Sequence, residues 1–173
     1  LVADGWRTAQ VGRLGLNRWK GLYSLVSALG LGLIVWGYGL ARAEPVALWA
    51  PPTWTRHVAA LLTLPAFILI AAAYVPGSRI KAAIGHPMVA GVKVWAIAHL
   101  LSNGNLADAL LFGAFLLWAV ADFRSARRRD RAAGVRYRPG TAARDGMAIA
   151  AGTGVWALFA GFLHLWLIGV RPY

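Results

Sequence analysis

The chain has 173 residues, of which 59% are hydrophobic and nine are Trp. With a mean hydropathy of +0.57, it carries more apolar side chain than a water-facing domain of this length can hide, which excludes an ordinary soluble fold. Lys and Arg outnumber Asp and Glu by 18 to 6, there is no Cys and Glu44 is the only Glu, so disulfides, thiolate sites and paired-carboxylate catalysis find no support.

Residues 1–20 carry Arg7, Arg13, Arg18 and Lys20 with Trp6 and Trp19, a mixture suited to the headgroup layer. No basic n-region precedes a short apolar stretch, so no signal peptide is expected. Residues 21–41 are uncharged and long enough to cross a hydrocarbon core of about 30 Å. Ala28 and Gly32 in this run would let a neighbouring helix approach closely. Residues 42–56 hold Pro45, Pro51, Pro52, Trp49 and Trp54 and read as an interfacial loop. A second span is expected over 57–74, kinked at Pro65. A basic turn at 76–81 follows.

The third span covers 87–102, with Pro87 at the first helical position, and ends in the turn-like Ser102-Asn103-Gly104-Asn105. A fourth is expected over 106–123. Residues 124–144 then form a strongly basic loop that begins by extending that helix. A fifth span runs over 147–170. The expected fold is all-α, a polytopic membrane helix bundle in one domain, 1–173, with no internal repeat. All basic residues except Arg42, Arg56, Arg171 and Lys93 then fall on one side. Short Lys/Arg-rich loops stay cytoplasmic, which orients the chain. The partners this implies are membrane lipids, including anionic headgroups, and not nucleic acid.

Ionisable side chains inside spans carry a free-energy penalty unless paired or hydrated, so each is a functional candidate. His99, one turn beyond Trp95, can hydrogen-bond across helices or ligate a metal or haem iron. Lys93 can snorkel, or can hold a propionate, phosphate or other anion. His86 is seven residues before Lys93 on about the same helix face, so the two either line an anionic pocket or His86 simply caps its turn. His57, His99 and His164 share a leaflet by topology. No two His have i,i+4 spacing, and a zinc site built from them is weakly supported.

The run GHPMVAGVKVWAIAHLLSNG from Gly85 to Gly104, followed by Leu111-Phe112-Gly113, closely resembles the signature of the NnrU family of membrane proteins. Gly12-Arg13-Leu14-Gly15, the Lys20 to Ser27 run, Gly37-Tyr38-Gly39 with Ala41-Arg42, and the His164 to Pro172 segment also look like family positions, so the resemblance spans essentially the whole chain. It implies a link to denitrification and nitric oxide metabolism. It also implies kinship with the zeta-carotene isomerase, a haem b enzyme in which the His matching His99 is an iron ligand. A Cys three residues earlier takes part there in ligand exchange; here that position is Ala96, so an identical switch is impossible. Family members usually begin with one more span ending in a His-Ser pair, which implies six spans in a complete protein and a second iron ligand outside these residues. His86-Pro87-x-x-x-Gly91 is faintly similar to an element of membrane methyltransferases, without that element's Arg and Tyr.

The resemblance therefore implies a multi-pass protein of the bacterial inner membrane, with a haem b pocket at His99 and with Lys93 or His86 steadying an anionic group. Its chemistry would be redox-gated isomerisation of a lipophilic substrate or a reaction with nitrogen oxides. The alternative from a different class is a non-catalytic accessory subunit of a larger membrane complex. A small transporter has little support, because the chain has few ionisable residues inside the spans and no inverted repeat.

Overall fold

A computed structural model describes residues 4–172. It falls into two compact units, one up to Val46 and one from Ala47. In the first, α1 (Asp4–Leu14) and α2 (Leu16–Ala43) are separated at Gly15, whose φ of 78° lies in the region that favours glycine. The Trp6 ring meets Trp19 edge-on at 5.4 Å between centroids, so the basic lead-in is a helix folded at Gly15. α2 is longer than the uncharged run at both ends and takes in Arg18, Lys20 and Arg42. Arg and Lys are good helix formers, so charge alone does not stop a helix. None of its residues is buried.

The second unit is built around α3 (Trp54–Tyr74), which packs against α5 (Pro87–Ser102) and α7 (Ala142–Leu158), with α6 (Leu106–Ala132) against α5. Short α4 (Arg79–Ile84) links α3 to α5, and a π-helical turn at Phe159–Leu163 joins α7 to α8 (His164–Ile168). The buried apolar residues are almost all Ala, with Phe112 the one large exception. In lipid there is no hydrophobic force between helices, so close backbone approach and dispersion hold them together. Glycine makes that approach here. A Cβ on Gly91 would lie 2.7 Å from the Ala66 carbonyl oxygen, and one on Gly152 would lie 2.5 Å from Ile68 Cα. Ala28 and Gly32, where close approach was expected, are exposed. α3 runs through Pro65 as one helix.

Both ends of this unit are tied. The backbone N–H groups of Leu48 and Trp49 donate to the Gly104 carbonyl (2.8 and 3.2 Å), fastening the Pro-rich loop onto the turn between α5 and α6. At the other end Thr141 N–H donates to Gly77 O (2.9 Å). Asp145 Oδ1 accepts from the N–H groups of Arg79 (2.7 Å) and Ile80 (3.2 Å), capping α4 with a residue of α7. The Lys81 ammonium reaches the Ala73 carbonyl at the end of α3 (2.8 Å). The basic turn after α3 and the basic segment before α7 therefore meet.

Among the described residues four helices are long and apolar enough to cross a membrane: α2, α3, α6 and the Ala142–Ile168 stretch. Five such spans were expected. α5 has 16 residues and so reaches about 24 Å at 1.5 Å per residue, short of a full hydrocarbon core. The fourth expected span extends to Ala132 because its arginines continue the helix. The last starts at Ala142 because the Thr141 side chain accepts from Arg144 N–H as an N-cap.

Candidate functional site

His99 lies in the last turn of α5, and its Nδ1 is 2.9 Å from the Trp95 carbonyl oxygen. A carbonyl only accepts, so Nδ1 carries the proton and Nε2 keeps its lone pair. Among the described residues Nε2 has no hydrogen-bond partner. The imidazole is one corner of a three-ring cluster, with centroids 4.8 Å from Trp95 and 4.5 Å from Phe112, and Trp95 meets Phe112 and Phe115 in turn. This is how a ligating histidine is prepared: the second nitrogen is committed to a backbone acceptor, which fixes the tautomer and ring orientation. Asp108 and His164 are within electrostatic reach of the ring. Asp108 is buried and serves the α6 capping box with Asn105.

The other two candidates lie further down α5. The Lys93 ammonium sits 3.7 Å from the centroid of the Phe123 ring, a cation–π contact. His86 also meets Phe123, edge-on at 6.3 Å, so one aromatic ring joins His86 and Lys93 and leaves His99 apart. His86 makes no capping bond. Its Nε2 instead donates to Asp130 Oδ2 at 2.8 Å, and the Tyr137 hydroxyl donates to the same oxygen at 2.7 Å. Burial, followed by the bond to Asp130, holds the Tyr137 phenol above its ordinary pKa. Gly85 lets this cluster close: a Cβ there would be 3.0 Å from Arg127 Nη1 and 3.1 Å from the Tyr137 ring.

The family model described as NnrU protein matches residues 1–172. The chain belongs to the NnrU family. No curated protein and no solved structure matches it.

In this NnrU-family chain the other two histidines make no hydrogen bond to these clusters, though His164 is within electrostatic reach of His99. His57 is exposed at the start of α3. His164 follows the π-helical turn, donates from Nδ1 to the Val170 carbonyl (2.7 Å) and meets Phe159 edge-on. Among the described residues no three His, Cys, Asp or Glu side chains gather where they could hold a metal ion. Asp130 and Tyr137 escaped the sequence reading. The signal available was that Asp130 is a lone acid inside a run of arginines, a place where a carboxylate is retained by a specific partner more readily than by the general charge balance.

Proposed function

We propose that this NnrU-family protein is a five-crossing protein of the bacterial inner membrane that holds haem b through His99 Nε2. The observation that carries this reading is the His99 Nδ1–H bond to the Trp95 carbonyl, which leaves Nε2 unprotonated beside the Trp95 and Phe112 rings. His99 would hold the group through Nε2. Haem b supplies a redox-active iron, suited to reactions with nitrogen oxides such as nitric oxide, as in denitrification, or to redox-gated isomerisation of a lipophilic substrate. His99 would ligate and orient the group, Trp95 and Phe112 would keep water from the imidazole face they cover, and Lys93 would offer its ammonium to an anionic group. His86 is about 20 Å from His99 along α5 and is engaged by Asp130, so it takes no part in this pocket.

α5 is the fifth crossing. Its short length is offset by its position between the Gly104 clasp at one end and the basic cluster at the other. The basic end is cytoplasmic by the distribution of Lys and Arg.

Absorption spectra of detergent-purified protein test the haem reading. A Soret band is expected in the wild type, and its loss is expected in His99→Ala at unchanged gel-filtration elution. Protein that stays colourless from haem-sufficient cells and on titration with haemin refutes it. The alternative is an accessory-subunit role. Colourless protein that copurifies with a large membrane partner would establish that reading instead.

A further inference from the structure

At the basic end of the second unit, away from His99, the end of α4, the end of α6 and the segment that follows it line an open cavity of about 420 Å³. Arg127, Arg131, Arg136 and Tyr137 line it, with Ala82 and Ala83 as an apolar lining. Among the described residues none of these three guanidinium groups forms a salt bridge. Asp130 is the one acid in the lining, and its Oδ2 already accepts from His86 and Tyr137. The cavity is therefore cationic on balance, with its carboxylate turned to internal use. Its volume lies within the range of small-ligand sites, roughly 300–1,000 Å³.

We infer that this cavity binds a phosphate group, presented either by an anionic phospholipid headgroup or by a soluble phosphate ester. Planar guanidinium forks match phosphate oxygens two at a time, which a scattered set of surface charges does not do. The Tyr137–Asp130–His86 chain holds the connecting segment in place around Arg136. Gly85, with φ 78°, leaves room for the Arg127 guanidinium beside it. The cavity opens where α6 passes from its apolar stretch, ending at Phe123, into its arginine-rich last turns. That is the level at which lipid phosphates lie when the helix crosses a bilayer. This inference stands whether or not His99 carries iron.

The full chain in detergent micelles tests it with two probes. Titration calorimetry measures glycerol 3-phosphate, and native mass spectrometry measures retention of phosphatidylglycerol against phosphatidylcholine. The wild type is expected to bind at least one probe saturably. Arg131→Gln combined with Arg136→Gln should weaken that binding by about tenfold or more. Arg128→Gln combined with Arg138→Gln removes the same charge outside the lining and should leave it within about twofold. Arg136→Gln alone, outside any helix, serves if the first pair disturbs folding. Binding of glycerol 3-phosphate identifies a soluble ester as the source, and selective retention of phosphatidylglycerol alone identifies a lipid. Equal loss in both pairs, or no saturable binding of either probe, overturns the inference.

Discussion

Gly152 and Gly154 lie two residues apart on α7, and alanine should have opposite effects at them. A Cβ at Gly152 would lie 2.5 Å from Ile68 Cα, 2.8 Å from Ile68 N and 3.0 Å from Ile68 Cγ1. Two of these atoms are backbone, so no side chain can simply swing away. Reaching the usual carbon–carbon separation of about 3.5 Å requires α7 and α3 to part by roughly 1 Å. That strains the contact that also carries the Trp156 Nε1–H bond to Thr63 Oγ1 (3.0 Å). Overpacking of this kind costs about 1–3 kcal/mol, against which alanine recovers about 1 kcal/mol of helix propensity. The net expectation is destabilisation of about 1–2 kcal/mol for Gly152→Ala. Gly154 has nothing within 4 Å of its Cβ position, so Gly154→Ala collects only the propensity and is neutral or stabilising by up to about 1 kcal/mol. Equilibrium unfolding of the purified protein in mixed micelles with increasing SDS, followed by Trp fluorescence, reads both. Equal midpoints for the two variants would refute the claim that glycine-mediated backbone approach holds α7 on α3.

Gly85→Ala places a Cβ at φ 78°, against the Tyr137 ring and Arg127. It should destabilise the basic end by about 1–3 kcal/mol, seen as earlier SDS unfolding, and a wild-type midpoint would count against the cluster's tight closure. The raised pKa of Tyr137 makes folding favour the neutral phenol, so its contribution is complete below the ordinary tyrosine value of about 10 and fades as pH climbs through the higher folded-state pKa. Alkaline titration of phenolate absorbance, wild type minus Tyr137→Phe, should therefore assign Tyr137 a pKa above that value; one at or below it contradicts the part-buried Asp130 contact.

The bounds of α5 were legible to the residue because the chemistry at both ends is local: Pro87 supplies a first-turn residue with no N–H to satisfy, and Ser102-Asn103-Gly104-Asn105 cannot continue the helix. The arginine run after Phe123 was harder, since charge reports contact with water and is silent about backbone conformation; those residues finish α6. The start of α7 depends on Thr141 as an N-cap, a signal hidden by the basic residues around it. For the candidate site, the aromatic neighbour Trp95 was within one turn of His99 and visible from spacing. The His86–Asp130 bond spans 44 positions, and no periodicity encodes a pairing at that distance. Small-residue spacing was read at Ala28 and Gly32, whereas the helical glycines that meet the backbone of a neighbouring helix are Gly91 and Gly152. Pattern alone cannot distinguish a glycine beneath a neighbouring helix from one facing outward.

The capping of α4 by Asp145 has a consequence for biosynthesis. Arg79 leaves the ribosome 66 positions ahead of the carboxylate that receives its N–H, so the first turn of α4 waits, uncapped by its eventual acceptor, while α5 and α6 are made and inserted. Only when α7 threads into place does that acceptor arrive, and a nascent chain stalled before Thr141 would carry α4 capped by the Ser78 hydroxyl alone, with the α3–α7 seam unformed. A helix translated after α5 and α6 is thus the one that locks a junction made before them, so arrest ahead of α7 is a step at which quality control would meet a partly assembled bundle.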